Sequence, residues 1–370
     1  MSAGPRVTIL MPVYNGQRYV GEAIASVVGQ GFGDFEFVII DDGSTDRTPE
    51  ILAEWAAHDS RIRVHRSPRN EGIPAALNRG LNLARGQYVA RQDADDLCVA
   101  GRLARQVAVL DGDAEVVLVS AGYEIIDAEG RRRGMRLRRD APEVIEYLLH
   151  FSNAVGGHGQ VMFRRETVLS LGSYGLEYDF SQDYDLWSRL MRLGRIVVLP
   201  MIGMRHRLHE DRVSVVSGPR QQSNSMRISR RNLTTLLRRE LHDDEFAALA
   251  AVWRQTGTCN SAIDADRLFR EAYARFLEKR PSHRHRRAVR MAKAHTWFLS
   301  AAMLAKRARF VEALAHAGYS LRWHPLGFMS GVFASMDRAM GYVLRRVGSF
   351  RTVESYASVP PRAHRDNAPA

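Results

Sequence analysis

Three aspartates occupy four consecutive positions in the segment ARQDADD, residues 90–96. The segment directly follows an apolar run that is typical of a buried strand. Carboxylates this close raise one another's pKa and destabilise a fold unless a cation or hydrogen bonds compensate them. Mg²⁺ or Mn²⁺ would compensate them, because both ions prefer oxygen ligands and Mg²⁺ also takes water and substrate phosphates. The structural alternative is a solvated loop, or an Asp95 or Asp96 cap on a helix that begins near Gly101.

Two further polar clusters follow apolar runs. Asp41 to Asp46, with the sequence DDGSTD, follows FVII at 37–40, and Tyr14 to Gly16 follow VTILMPV at 7–13. The carboxyl ends of parallel strands meet at one edge of a sheet, so we expect all three clusters on one rim, where such sheets bind ligands. Taken alone, the Asp41-Asp42-Gly43-Ser44 stretch also fits a turn with a capping aspartate.

The elements that must position these clusters alternate between short β-rich runs and helical patterns. This alternation is typical of an α/β protein with a mostly parallel, doubly wound sheet covered on both faces. The predicted strands or extended runs are 7–13, 35–40, 62–66, 87–91, 115–127, 156–165, 196–200 and 204–214. The predicted helices are 20–27, 49–57, 74–84, 142–149 and 182–193, and an Arg-rich segment at 131–139 has no assigned element.

After about residue 217 the pattern becomes helical. We expect an α/β domain over 1–215, a helical region over 216–350 and a disordered tail over 351–370. One helical pattern in this region is amphipathic and basic, with apolar residues at Val332, Met336, Met340, Val343 and Val347. Such a helix suits the surface of an anionic membrane.

Composition narrows the class of protein. Of the 370 residues, 45% are hydrophobic and 25% are charged, which is typical of a globular protein. Two cysteines, Cys98 and Cys259, cannot form a disulfide framework or a thiolate zinc site within one chain. Since the sequence shows no signal peptide and no apolar stretch of membrane-spanning length, we expect a cytoplasmic protein. The net charge of +12 indicates an anionic partner: nucleic acid, acidic lipid or a phosphorylated substrate.

Glycine-rich phosphate loops are missing from the sequence: neither G-x-x-x-x-G-K-[ST] nor a G-x-G-x-x-G after the first strand occurs. A diphosphate held by a metal fits better. Over about residues 5–215, the chain resembles the inverting glycosyltransferases of family 2, which have the GT-A fold. The segments that carry the resemblance are PVYNG (12–16), IIDDGSTD (39–46), NEG (70–72) with Asn78 and Gly80, GQYVARQDADD (86–96) with Arg102 and Gln106, and QDYDLWSRL (182–190).

The resemblance implies roles for individual residues. It implies a DxD-type site at Asp93, Asp95 and Asp96 and a catalytic base at Asp183. It implies nucleotide contacts from Pro12, Val13, Tyr14, Asn15, Asp41, Asp42, Asn70, Asp93, Ala94 and Asp95. It implies sugar or diphosphate contacts from Arg102, Arg207 and His209, and Mg²⁺ or Mn²⁺ ligands from Asp95, Asp96 and His209.

These roles agree with the chemistry of an inverting transfer. One in-line displacement needs a base for the acceptor hydroxyl and stabilisation of the departing diphosphate. Asp183 also lies at a predicted helix start, where capping and the helix dipole favour aspartate, and Asp185 is a rival base. The chain departs from the family pattern at two places. Relatives often have Pro-Thr after the histidine where this chain has His158-Gly159-Gln160, and they usually have an acidic residue where it has Gln182.

The sequence therefore predicts transfer of a sugar from a nucleotide diphosphate-sugar to a hydroxyl acceptor, either a glycan or a lipid-linked molecule. We expect this reaction in the synthesis of surface polysaccharide or glycolipid, at the inner face of an anionic membrane. A nucleotidyltransferase that makes nucleotide-sugars is the alternative enzyme, but Pro12 to Gly16 is not the glycine-rich basic loop it would need. A nucleic-acid-binding protein is disfavoured, because the arginines are dispersed and the main rim is acidic.

Overall fold

The computed structural model describes residues 4–138, 140–210, 218–254, 259–279 and 310–325, together with 286–287, 289–290, 293–294, 297 and 301. Its strands are β1 (Val7–Val13), β2 (Phe35–Asp41), β3 (Ile62–Arg66), β4 (Tyr88–Arg91), β5 (Leu97–Cys98), β6 (Val116–Ile126), β7 (Arg132–Arg136), β8 (Met162–Arg164) and β9 (Arg195–Arg207). The helices that accompany them are α1 (Val20–Val28), α2 (Thr48–His58), α3 (Ile73–Leu83), α4 (Arg102–Gly112), α5 (Pro142–Leu149), α6 (Arg165–Ser170) and α7 (Gln182–Leu190). The later helices are α8 (Gly218–Leu237), α9 (Asp243–Arg254), α10 (Cys259–Lys279) and α11 (Phe310–Trp323).

One mixed sheet has the strand order β3-β2-β1-β4-β8-β6-β9-β5, and β7 pairs with β6. Strands β1 to β4 pair in parallel, as the alternation of strands and helices predicts. The second half is mixed, because the short strand β8 returns between β4 and β6 and runs antiparallel to both. Strand β9 is parallel to β6, so its carboxyl end reaches the same rim as the ends of β1, β2 and β4.

Apolar side chains cover both faces of the sheet. Along β1, Ile9 and Met11 pack on one face with α1, α2 and α4, whereas Leu10 packs on the other with α3, α5 and α7. Alternate residues of a strand point to opposite faces, so a strand that is buried on both faces is apolar throughout. This burial fixes the register of β1 and places its carboxyl end at the rim.

Several element boundaries differ from the sequence predictions. The Arg-rich segment contains strand β7, which pairs with β6. The segment predicted at 196–200 and the first residues of the one predicted at 204–214 form one strand, β9, which ends at Arg207 and whose pairing with β6 shifts register near Gly122. This irregular pairing lets β9 continue past Pro200, which has no N–H to give to a ladder. Residues 211–214 of the second segment lie outside the described residues. Helix α7 ends at Leu190, three residues before the predicted end.

The helices that follow the sheet pack on α5. Tyr147 and Phe151 join a third apolar cluster with residues of α8, α9 and α10, and the Tyr147 hydroxyl donates to the carbonyl of Phe269 at 3.2 Å. In the described part of the chain, no helix combines the length and apolar character needed to cross a bilayer. The proposed amphipathic helix at 332–347 and the tail 351–370 lie outside the described residues, and the division of the chain at residue 215 stays a prediction.

Candidate active site

The rim formed by β1 and β2 brings the first two polar clusters together. The Asn15 side chain accepts from the backbone N–H of Thr45 at 2.8 Å, and the Gly16 N–H donates to the Thr48 hydroxyl at 2.8 Å. Asn15 has a φ of 49°, in the left-handed region that asparagine tolerates well among non-glycine residues. Because β4 pairs with the other side of β1, the Asp93–Asp96 segment begins on the same rim.

Asp41 and Asp42 are buried and organise loops. Asp41 Oδ1 accepts from the N–H of Ser44 at 2.9 Å, while its Oδ2 lies 3.3 Å from Arg66 Nε. Asp42 accepts from the backbone N–H groups of Glu71 and Gly72 at 3.1 and 2.9 Å, so it anchors the loop before α3. Both carboxylates therefore accept hydrogen bonds from loop backbone, as the interpretation of this stretch as a turn with a capping aspartate predicts.

The other residues predicted to contact the nucleotide differ in exposure. The Tyr14 side chain is 48% exposed at the end of β1, whereas Val13 is buried and Pro12 is half-buried. Asn70 is exposed and accepts from the N–H of Gly72 at 3.0 Å. Ala94 is half-buried. Among the residues predicted to contact the nucleotide, Tyr14 therefore has an aromatic ring that a ligand can reach.

The acidic segment after β4 is a turn rather than an extended strand. Its carboxylates diverge: Asp93 pairs with Arg91 at 2.8 Å, and Asp95 Oδ2 lies 3.0 Å from His209 Nε2. The capping alternative is wrong, since α4 begins after Gly101 with no side-chain cap.

Asp96 is fully buried and well partnered. Its Oδ1 accepts from the backbone N–H of Arg207 at 2.8 Å, and its Oδ2 lies 3.0 Å from His206 Nδ1. Burial raises the pKa of Asp96 to about 6, while the hydrogen bond from His206 lowers it. Burial also raises the pKa of Asp93, against the effect of Arg91. The cluster is thus an electrostatically costly arrangement that β9 and Arg91 partly compensate.

The three predicted metal ligands differ in their contacts. Asp95 and His209 lie within hydrogen-bond distance of each other, whereas both oxygens of Asp96 are engaged by β9. Among the described residues, no three His, Cys, Asp or Glu side chains are arranged to hold a metal ion. The carboxylate and imidazole of Asp95 and His209 fit a divalent cation that takes its other ligands from water and a diphosphate.

Two arginines predicted to contact the donor are buried and contact the backbone around the acidic turn. Arg102 donates to the carbonyls of Arg91 and Gly159 at 2.6 and 2.9 Å. Arg207 donates to the carbonyl of Asp95 at 3.1 Å and pairs with Glu22 at 2.7 Å. Both guanidinium groups therefore donate to backbone carbonyls in or beside the turn.

Asp183 is the second residue of α7 and is half-buried. Its Oδ2 accepts from the Asn153 amide at 2.9 Å, and its Oδ1 accepts from the N–H of Tyr184 at 2.7 Å. Burial raises the pKa of Asp183 to about 6, although these two hydrogen bonds lower it, and the nearby charge of Asp93 raises it further. The helix cap position belongs to Ser181, so Asp183 is not the capping residue, and it lies in the first turn, where the helix dipole favours a carboxylate.

Four polar residues near Asp93 and Asp183 were not among the predicted site residues. They are Arg91, Asn153, His158 and Tyr174. Arg91 Nε donates to His158 Nε2 at 3.3 Å, and the Tyr174 hydroxyl lies 2.8 Å from the same nitrogen. Burial lowers the pKa of His158 well below its usual value. Arg91 carried a signal, a cation ending a buried strand directly before the acidic run. Asn153 and Tyr174 carried none, because their partners are distant in the chain.

The comparisons with known proteins identify the family of the chain. The sequence model of glycosyl transferase family 2 matches residues 8–171. The putative glycosyltransferase EpsE of Bacillus subtilis (strain 168) is 34% identical over 197 residues, covering 52% of this chain and 69% of EpsE. The amylovoran biosynthesis glycosyltransferase AmsE of Erwinia amylovora is 30% identical over 210 residues, covering 56% of this chain and 78% of AmsE. The chain belongs to glycosyl transferase family 2.

Solved structures support the fold. The crystal structure of S. aureus TarS 1-349 in complex with UDP-GlcNAc aligns with a TM-score of 0.53 at 17% identity, covering 86% of this chain and 91% of that one. The complex of the same protein with UDP gives a TM-score of 0.52 at 18% identity. The predicted α/β fold of the GT-A type, followed by helices, is confirmed.

Proposed function

We propose that this family 2 glycosyltransferase moves a sugar from a nucleotide diphosphate-sugar to a hydroxyl acceptor, with inversion at the anomeric carbon. The observation that carries the proposal is the environment of Asp183. It is a half-buried carboxylate with a pKa of about 6, close enough to the acidic turn for its charge and that of Asp93 to interact. A general base works best when its pKa lies near the working pH, and Asp183 meets this condition.

In this proposal Asp183 accepts the proton of the acceptor hydroxyl as its oxygen attacks the anomeric carbon. The Asn153 amide holds one carboxylate oxygen, which leaves the group oriented for proton transfer. Asp185 does not compete, because it is buried and bound by Arg189 and Arg231. The diphosphate leaves from the opposite side of the sugar as an anion, so it needs no general acid.

The donor nucleotide would lie on the β1–β2 rim. The exposed Tyr14 ring is suited to stack on the base, beside Pro12, Val13 and Asn15. Asp41, Asp42 and Asn70 shape the surrounding loops through their backbone contacts. The UDP and UDP-GlcNAc complexes of TarS, which has the same fold, support a nucleotide-sugar donor.

Asp95 and His209 would hold Mg²⁺ or Mn²⁺ beside the diphosphate. When bound, such an ion neutralises negative charge on the diphosphate. Asp96 would act indirectly, since its contacts with His206 and the Arg207 backbone fix the end of β9, two residues before His209. Arg102 and Arg207 would hold the turn in place.

We further propose a role in surface polysaccharide or glycolipid assembly, with a glycan or lipid-linked acceptor at the cytoplasmic face of the membrane. The similarity to the amylovoran biosynthesis enzyme AmsE supports the polysaccharide role. The net charge of +12 supports attraction to anionic lipid. Nucleic acid is a poor partner, because the candidate site is acidic.

The test combines donor binding and turnover. A thermal-shift panel of nucleoside diphosphates and nucleotide-sugars, with and without Mn²⁺, should reveal a stabilising donor, since a ligand that binds the native state raises its stability. With that donor, Asp183→Asn should bind normally but lose about 10²–10⁴-fold in kcat. The control is Glu177→Gln, which removes an exposed carboxylate on the preceding segment and should retain turnover. Normal turnover by Asp183→Asn would place the base elsewhere.

A further inference from the structure

Helix α7, which carries Asp183, is fastened to α8 by polar contacts that begin just before the base. The Ser181 hydroxyl donates to the carbonyl of Gln221 at 3.0 Å and lies 3.0 Å from the hydroxyl of Ser225. The Asn224 amide donates to the carbonyl of Asp179 at 2.8 Å. The first half of α8 thus contacts the chain immediately preceding Asp183.

A charged contact follows just after the base. Asp185 is 2% exposed, and its Oδ1 lies 2.5 Å from Arg231 on α8, while its Oδ2 lies 3.0 Å from Arg189 Nε on α7. Arg231 also donates to the hydroxyl of Ser188 at 2.7 Å. One guanidinium group therefore bridges two side chains on successive turns of α7.

These contacts flank the base on both sides along the chain. Ser181 precedes Asp183 by two residues and Asp185 follows it by two, and both are bound to α8. Side chains two positions apart on a helix do not share a face, so Asp185 holds the helix without sharing the environment of Asp183. The Asn153 amide, which lies on neither α7 nor α8, donates a hydrogen bond to the Asp183 carboxylate.

The attachment of α7 to α8 depends on the charge of the buried Asp185 carboxylate. A buried carboxylate that loses one of its cationic partners is strongly destabilised, because the remaining charge stays out of water. Arg189 belongs to α7 itself, so its pairing with Asp185 cannot fix α7 relative to another helix. Arg231 is the partner that joins the two helices.

We infer that Arg231 is a positioning residue for the transfer reaction: through Asp185 and Ser188 it sets the placement of α7 and hence of the Asp183 carboxylate. The inference rests on the proposed function and assigns a role to α8, which lies beyond the 8–171 segment matched by the family model. A displacement of about 1 Å at a catalytic group can lower a rate by about 100-fold, so a remote contact of this kind affects turnover. Among the described residues, the contacts of Arg231 do not reach the β1–β2 rim, so we expect donor binding to be independent of it.

The experiment compares Arg231→Met with Arg230→Met in the full-length protein. Arg230 is the neighbouring arginine on α8 and pairs with Asp243 at 2.7 Å, so its loss perturbs helix packing without contacting α7. We expect kcat to fall about 10-fold to 100-fold in Arg231→Met, with the donor KM and the donor dissociation constant unchanged. Arg230→Met should keep the kcat of the wild type. Should Arg231→Met fail to fold, Arg231→Gln, which keeps one amide donor, replaces it with the same expected direction.

Three results would overturn the inference. They are a wild-type kcat in the Arg231 variant, an equal loss of kcat in both arginine variants, and a loss of donor affinity in the Arg231 variant. Failure of the proposed function is recognised separately, from normal turnover by Asp183→Asn. Loss of turnover in Asp183→Asn together with normal turnover in Arg231→Met would reject the positioning role and leave the base assignment intact.

Discussion

Asp183 and Asp185 lie two positions apart on α7 and have opposite environments. Asp185 is enclosed and paired with two guanidinium groups. Among the described residues, Asp183 has two hydrogen bonds and no cationic partner, and burial raises its pKa to about 6. A pKa in this range lets Asp183 exchange a proton near neutral pH.

Turnover should depend on pH through Asp183. A base is active when deprotonated, so kcat should fall about tenfold per pH unit below about 6 and level off above it. A pH–rate profile at saturating donor and acceptor measures this fall in kcat, which forms the acid limb of the profile. A rate that stays constant from pH 5 to pH 8 would contradict the assignment.

The hydrogen bond from the Asn153 amide should affect the pH at which kcat falls. Its hydrogen bond favours the charged form of Asp183, so Asn153→Ala should raise the pKa of the base. Hydrogen bonds to charged groups contribute about 1.5–3 kcal/mol, which corresponds to a shift of about one to two pH units. We expect the acid limb of the pH–rate profile to move to higher pH by this amount. An unmoved limb would show that the amide does not act on the base.

At the scale of elements, the site depends on how closely β1 and β4 approach. Gly86 lies just before β4, and its N–H donates to the Thr8 hydroxyl on β1 at 2.9 Å. A Cβ atom at this position would lie 2.3 Å from the Thr8 backbone nitrogen and 2.7 Å from the Val7 carbonyl carbon. Backbone atoms inside a sheet cannot move aside as a flexible side chain can, so only glycine fits.

Gly86→Ala should therefore destabilise the protein by at least about 1–3 kcal/mol, the usual cost of overpacking. Chemical denaturation monitored by circular dichroism measures the change. Gly33→Ala is the matched control, because a Cβ atom there would meet nothing within 4 Å. Equal stability of the two variants would mean that β1 and β4 can separate without cost.

At the scale of the whole molecule, the net charge of +12 contrasts with the acidic candidate site. Much of the positive charge lies on exposed arginines, as on the β6–β7 hairpin, where several also pair with acidic residues. The helices after the sheet add to this charge and pack on α5, beside the helix that carries Asp183. A basic exterior around an acidic site suits an enzyme that works close to an anionic surface.

The full-length protein should bind vesicles that contain anionic lipid. Attraction between surface charges is screened by salt, with a Debye length near 8 Å at about 0.15 M and 3 Å at about 1 M. Co-sedimentation with phosphatidylglycerol vesicles should accordingly be strong at low salt and weak at high salt. Vesicles of phosphatidylcholine alone are the control. Absence of binding to anionic vesicles at low salt would remove the membrane proposal.

The sequence by itself determined the first half of the sheet and the residue types of the site. Apolar strands separated by amphipathic helices predict β1 to β4 and α1 to α3 within a residue or two, because periodicity and burial are local properties. The motifs that end β1, β2 and β4 supplied the candidate residues of the rim. The segment QDYDLWSRL at 182–190 predicts Asp183 as the base by its resemblance to the family, and that family was confirmed.

Only the tertiary structure decided the strand order of the second half and the direction of each carboxylate. The position of β8 between β4 and β6 depends on pairing between distant segments, which no local pattern encodes. The backbone turn at Asp93–Asp96 sends Asp96 to β9, whereas a regular strand would have sent it elsewhere. The attachment of Asp185 to Arg231 joins residues 46 positions apart. Contacts of this range depend on how the helices and strands pack, so neither residue's neighbours in the sequence predict them.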